Sequence, residues 1–144
     1  MITPSPTTRL DPGLARGILI ETRAGDAIGT PQIVFGVLNT SYELHLVPAG
    51  EIKAGKGKRL VGTIAAQARR IDLVGTGGQF IEPVMGRPRR VQGTVIRAEG
   101  GAVVVDAGIP IHCTPADPRQ TADQFAPGQL VSFDVLDGAT FREA

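Results

Sequence analysis

Short runs of Val, Ile and Leu recur along the chain between glycines and prolines. Several runs alternate apolar and polar positions, as in Leu44-His45-Leu46 and in the segment from Val131 to Val135. A period of two is typical of strands with one buried face. The pattern predicts ten strands, at Gly17–Thr22, Gln32–Leu38, Tyr42–Val47, Arg59–Ala66, Arg70–Val74, Gln79–Pro83, Arg90–Arg97, Ala102–Ala107, Ile109–Cys113 and Leu130–Leu136.

Helices have little room in this sequence, because 19 glycines and 11 prolines interrupt it. One polar stretch, Pro118–Phe125, is the single helical candidate. Many short strands at close spacing predict an all-β barrel or sandwich. Because glycines inside strands allow the bends that a small closed barrel needs, we expect a small Gly-rich β-barrel formed by residues 14–144 as one compact unit. Two fused barrel units are the alternative. Residues 1–13 contain three prolines and are predicted to form a flexible N-terminal arm.

Three segments have a similar order of residues, which indicates an internal repeat or the common grammar of β-hairpins. The clearest pair is Val61–Gly75 and Gln92–Asp106, and a fainter copy is Phe35–Leu46. Each copy has a glycine inside the first strand, a polar turn and a second strand, so each is predicted to be a hairpin. A glycine inside a strand allows a sharp bend or a close backbone approach.

The composition is that of a globular chain, with 42% hydrophobic and 20% charged residues. No apolar run approaches the ~20 residues of a membrane-spanning helix, and the N-terminus lacks the layout of a secretory signal. We therefore expect no membrane partner and a cytoplasmic location. The single cysteine, Cys113, excludes an internal disulfide and agrees with a reducing compartment.

Charge is unevenly distributed, although the net value is only +1. Residues 51–98 hold ten Lys/Arg against three acids, a net +7, whereas residues 99–144 hold two arginines against seven acids, a net −5. A basic centre can attract a polyanion, and opposite charges on two segments can also let one copy dock on another.

The basic centre contains three groups of cations that are candidates for polyanion binding. Glycine-spaced lysines can contact phosphate oxygens without reading a base sequence, because binding releases counterions. Strand pairing is expected to bring the three groups onto one surface. An equally simple interpretation is a solvated turn whose charges block edge-to-edge association. The candidate contact residues are Lys53, Lys56, Lys58, Arg59, Arg69, Arg70, Arg87, Arg89 and Arg90.

The last third of the chain has a more specific order of motifs. Arg90–Ile96 contains a V-x-G-x-V pattern, Gly101–Val104 follows a glycine turn, Ile111–Thr114 contains a histidine, and Gly128–Val135 closes the segment. Residues 90–138 thereby resemble the OB-fold, most closely its S-one RNA-binding subfamily. The resemblance implies a small β-barrel and a nucleotide contact at His112. Val103 stands where that family places an aromatic stacking residue.

Candidate chemistry is sparse elsewhere. His45 and His112 are too few for a metal site, and Cys113 is expected on the opposite strand face from His112. The aspartates form no pair suited to acid–base catalysis. The segment Gly75–Gly78 is interpreted as a hairpin turn, since no helix follows it. Tyr42 is the one aromatic residue considered for a binding surface, and Phe125 and Phe141 for a barrel end or a neighbouring subunit. The sequence thus predicts no enzyme, metal or cofactor.

Two hypotheses follow from these observations. The first is a non-catalytic module that binds single-stranded nucleic acid or another polyanion through the basic centre. The second is a structural or adaptor protein that acts by self-association, as a homo-oligomer, or by docking on a protein partner. Its basis is the charge contrast between segments and the many strand edges that a β protein can expose.

Overall fold

The computed structural model describes residues 11–25 and 30–144, and nearly all regular structure in these ranges is β. The first ten residues, which include most of the predicted arm, lie outside the described residues. The twelve strands are β1 (Ala15–Arg23), β2 (Gln32–Val37), β3 (Glu43–Pro48), β4 (Arg59–Ala68), β5 (Asp72–Leu73), β6 (Phe80–Glu82), β7 (Met85–Gly86), β8 (Arg90–Glu99), β9 (Ala102–Asp106), β10 (Pro110–Pro115), β11 (Leu130–Asp134) and β12 (Leu136–Glu143).

Five strands form a closed barrel in the order β1-β2-β3-β12-β4, and β4 returns to pair with β1. All its pairings are antiparallel except that of β3 with β12. The predicted all-β barrel is therefore confirmed. Each of the ten predicted strands has a counterpart, whereas β7 and β12 were not predicted.

Strands β5 and β8 to β11 form a second ring that shares β4 with the closed barrel, whereas β6 pairs only with β8 and β7 only with β3. The first half of β4 pairs with β1, and its second half pairs in parallel with β10. From β10 the pairings run through β9, β8 and β11 to β5, which follows β4 in the chain. Residues 90–138, where the OB resemblance lies, supply β8 to β11, and residues 65–73 complete this ring.

A single side chain bridges the interruption between β4 and β5. The Gln120 amide donates to the Ile71 carbonyl at 2.8 Å and accepts from the Ile71 N–H at 2.9 Å. It therefore takes the place of a paired strand. The one-turn 3-10 helix Ala122–Gln124 follows directly, so the predicted helix at Pro118–Phe125 is reduced to three residues.

We expect Gln120→Ala to lower the free energy of unfolding by about 1–3 kcal/mol, because both backbone groups of Ile71 lose a protein partner. Urea denaturation followed by circular dichroism measures this. Gln67→Ala is the matched control, since Gln67 is exposed and has no side-chain hydrogen bond in the described structure. Equal stability of the two variants would contradict the bridging role.

The core is one connected cluster that spans both rings. Its side chains come from alternate positions along each strand, which point inward. In β4, for example, Leu60, Ile64 and Ala66 are buried. Phe35 and Phe141 meet inside the closed barrel with their ring centroids 5.2 Å apart. Phe141 thus belongs to the core rather than to a subunit contact, and Phe125 is also buried.

Glycines stand inside strands where two backbones come very close. A Cβ at Gly62 in β4 would lie 2.1 Å from the Arg142 carbonyl oxygen. A Cβ at Gly93 in β8 would lie 2.3 Å from the backbone carbonyl oxygen of Asp106. Real Cβ atoms do not reach such distances, so both positions need glycine.

The predicted repeat holds only in part as hairpins. The copies at Phe35–Leu46 and Gln92–Asp106 are hairpins, β2–β3 and β8–β9. The copy at Val61–Gly75 is not a hairpin, because β4 and β5 do not pair with each other. Strand β4 pairs with β10 and strand β5 pairs with β11. The sequence similarity therefore did not identify the pairing.

Every strand of five or more residues within the described ranges pairs on both edges. Only β5, β6 and β7, each two or three residues long, have one neighbour. The expectation of many exposed strand edges does not hold, because ring closure satisfies them.

Candidate polyanion-binding surfaces

The candidate cations fall into two groups at opposite ends of β4. The lysine loop (Lys53–Arg59) leads into the first residue of β4, and Arg69 and Arg70 follow its last residue. Ten residues of extended strand span roughly 30 Å. The expectation of one continuous basic surface is therefore replaced by two separate surfaces.

The lysine loop is held firmly against β1. The Gly57 N–H donates to the Leu19 carbonyl at 2.6 Å, and the Leu19 N–H donates to the Lys58 carbonyl at 3.0 Å. Within the loop, the Lys58 N–H donates to the Gly55 carbonyl. Gly57 has a φ of 83°, which favours glycine at this turn. The loop thus presents its cations from a fixed backbone.

The four cations of the lysine loop are exposed and unpaired. Lys53, Lys56, Lys58 and Arg59 are all solvent-exposed, and none forms an ion pair with the described residues. The nearby Glu21 carboxylate bonds Arg23, which lowers the pKa of Glu21, with a smaller contribution from Lys56. The Arg142 guanidinium lies beside Gly50 at the same end of the barrel, and the sequence analysis missed it.

The second group lines a groove at the junction of the two rings, the arginine groove. Arg69, Arg70 and Arg90 surround a cavity of about 360 Å³ with Leu136 in its wall. A neighbouring cavity of about 570 Å³ includes Arg89 and Arg90. The fold therefore joins residues 69–70 with residues 87–90, as strand pairing led us to expect.

Acids lie among the arginines of this groove. Asp134 bonds Arg90 at 2.9 Å, and Asp72 lies 3.6 Å from Arg70. Arg87 donates to the Asp137 carbonyl at 3.2 Å. Arg69 and Arg89 make no ion pair within the described chain. Two of the five arginines are therefore offset by acids, whereas no cation of the lysine loop has such a partner in the described structure.

Arg119 is a sixth arginine at the groove. It lines an adjoining cavity together with Arg69 and Leu136. It holds Asp117 through two hydrogen bonds of 3.0 and 3.1 Å. These bonds, with the Arg119 N–H, lower the pKa of Asp117 to about 2. A lone arginine in a polar connection gives no sequence signal for this role.

The lowered pKa of Asp117 predicts a pH dependence of stability. Because the carboxylate is favoured in the folded state, its contribution is present above the unfolded pKa near ~4. It is lost as the pH falls from there toward about 2. The Tm of the wild type should therefore exceed that of Asp117→Asn at pH 6, and the difference should shrink toward pH 2 in thermal melts.

The exposed Glu82, which makes no ion pair in the described structure, supplies the control Glu82→Gln. A Tm difference for Asp117→Asn that is independent of pH would contradict the assignment.

His112 lies apart from both basic surfaces. Its Nε2 is 2.8 Å from the Gly13 carbonyl oxygen, so it serves as a donor there. Asp11 accepts from Arg97 at 3.0 Å, which helps to lower the pKa of Asp11 after the bond from the Gly13 N–H. Residues 11–13 of the predicted arm are thus bonded to the second ring.

Aromatic side chains contribute little to either surface. Tyr42 accepts a hydrogen bond from the Ile81 N–H through its hydroxyl and packs on the core. Val103, the position compared with a stacking aromatic residue, is fully buried. Phe80 is the half-buried exception.

Among the residues that the structure describes, no three His, Cys, Asp or Glu side chains are placed to hold a metal ion. Burial raises the pKa of Cys113 to about 12. Across the described ranges, no helix has the length and apolar character needed to cross a membrane.

Comparisons with protein-family models, curated proteins and solved structures found no match for this chain.

Proposed function

We propose that this protein is a non-catalytic module that binds single-stranded nucleic acid or a similar polyanion, with the lysine loop as its main contact. One observation carries the proposal: Lys53, Lys56, Lys58 and Arg59 are exposed and unpaired in the described structure, on a loop fixed to β1. Because the backbone is already fixed, phosphate binding has to order only the side chains, and the release of counterions favours it.

The arginine groove is the secondary contact in this proposal. Arg69 and Arg89 are its unpaired cations, and Arg90 keeps free donors while it bonds Asp134. The barrel architecture supports this function by analogy, since five-stranded OB barrels bind oligonucleotides. We further propose that the closed five-stranded barrel is of the OB type.

Binding of a fluorescent single-stranded oligonucleotide at several salt concentrations tests the proposal. Four phosphate contacts predict a slope of log K against log salt of about −3 and a loss of roughly 50-fold between 50 and 200 mM. Few stacked aromatics predict little dependence on base sequence. Binding that is absent, or unchanged by salt, would exclude the proposal.

Self-association, or docking on a protein partner, is the alternative, and two features of the described structure weigh against it. Strands of five or more described residues pair on both edges, and two acids of residues 99–144 contact the basic segment of residues 51–98. Asp134 bonds Arg90, and Glu143 accepts from the Lys53 N–H.

A further inference from the structure

A glycine-rich segment crosses the outside of the second ring. Strand β5 pairs with β11 and strand β6 pairs with the far edge of β8, since Arg90–Gln92 pair with both β6 and β11. The connection Gly75–Gln79, here called the glycine strap, must pass over β11 and β8. It is not the hairpin turn that the sequence predicted.

A row of four side chains, three of them polar, crosses the sheet face on the side of the strap. Asp72, Ser132, Gln92 and Phe80 are successive cross-strand partners on β5, β11, β8 and β6, and such partners share one sheet face. Ser132 is only 3% exposed, and its hydroxyl has no hydrogen-bond partner among the residues that the structure describes. Buried polar groups without a partner are rare, so this one needs an explanation.

Gln92 connects this row to the strap. It is 8% exposed, and its side-chain nitrogen donates to the Gly78 carbonyl at 2.9 Å. A Cβ at Gly77 would lie 2.6 Å from the same nitrogen. The strap thus lies close to the Gln92 amide and accepts from one of its two N–H donors.

Few other bonds hold the strap. Gln79 donates to Thr94 at 3.3 Å. None of the N–H groups of Gly75–Gly78 donates a hydrogen bond to the described residues. All five strap residues are exposed. Lifting the strap would therefore break few interactions.

The arginine groove continues from this row. Arg90 is two residues before Gln92 on β8, and Asp134 is two residues after Ser132 on β11, so both pairs share the outer face. Arg70 and Arg90 line the cavity of about 360 Å³ at this point. Cations thus stand next to an amide, a hydroxyl and the half-buried ring of Phe80.

We propose that the row under the glycine strap and the adjoining cavity form a nucleotide-binding site, with the strap as its lid. Arg70 and Arg90 hold the phosphate, Gln92 and Ser132 bond the edge of the base, and Phe80 contacts its face. Amide and hydroxyl side chains are suited to base edges, and guanidinium groups to phosphate. This inference rests on the proposed function, for which it supplies a base-reading site.

The test uses the full chain labelled with ¹⁵N and titrated separately with each of the four ribonucleoside 5′-monophosphates and with inorganic phosphate. At least one nucleotide should shift the Gln92 side-chain amide and the strap amides, whereas phosphate alone should leave them in place. Ser132→Ala, which removes only an unpartnered hydroxyl, should weaken that nucleotide at least about fivefold. Gln67→Ala, whose side chain does not line this cavity, should not.

Strap amides that do not respond to any nucleotide, or equal binding by Ser132→Ala and the wild type, would overturn the inference. The proposed function fails separately, when oligonucleotide binding does not depend on the lysine loop. A variant neutralised in that loop should still show the nucleotide shifts, so the two failures are distinguishable.

Discussion

Neutralising the lysine loop should nearly abolish binding of a single-stranded oligonucleotide. The variant Lys53→Ala, Lys56→Ala, Lys58→Ala, Arg59→Ala removes four exposed cations that have no acidic partner in the described structure. Each lost phosphate contact should reduce the magnitude of the salt slope by about 0.7 on a single strand, so the slope of about −3 should approach zero. We expect the affinity at 50 mM salt to fall more than about 50-fold, measured by fluorescence anisotropy.

The arginine groove offers a control with the same number of lost charges. This variant carries four substitutions, Arg69→Ala, Arg70→Ala, Arg89→Ala and Arg90→Ala. Two of the four cations that it removes, Arg70 and Arg90, already lie near Asp72 and Asp134. Its effect on affinity should be smaller, because those acids already offset part of the positive charge. Equal losses in both variants would contradict the lysine loop as the main contact.

Removal of the Phe141 ring should cause the largest loss of stability. Phe141 is fully buried, contacts Phe35, and joins β12 to the barrel core. Phe→Ala changes in cores cost about 3–5 kcal/mol, because transfer energy is lost and a cavity remains. We therefore expect Phe141→Ala to lower the free energy of unfolding by this amount, or to prevent folding of the chain.

Leu73→Ala is the control for this prediction, since Leu73 is 62% exposed. It should change the midpoint of urea denaturation very little. A Phe141→Ala variant that unfolds at the wild-type midpoint would show that β12 does not close the barrel in solution.

The sequence predicted the strands well where alternation was regular, and poorly where it was broken. Strand β12 begins Leu136-Asp137-Gly138, and its register with β4 shifts between Leu136 and Thr140. Asp137 has a φ of 56° there. Such an irregular start masks the period of two, so the strand that closes the barrel gave no clear pattern.

The candidate site was predictable only as a set of residues. Lysines with glycines between them indicated an exposed basic loop, and the structure describes one. Which cations have acidic neighbours depends on pairings between distant segments, such as Arg90 with Asp134. The glycine strap was misread for the same reason, since its crossing depends on the partners of β5 and β6.

Alternation of apolar and polar residues, with frequent glycine and proline, was enough to determine that this chain forms a β-barrel. These are local properties, and strand formation responds to them directly. The tertiary structure alone decided how β4 serves two rings and which cations remain unpaired. Both depend on contacts between residues far apart in the chain, which no local pattern encodes.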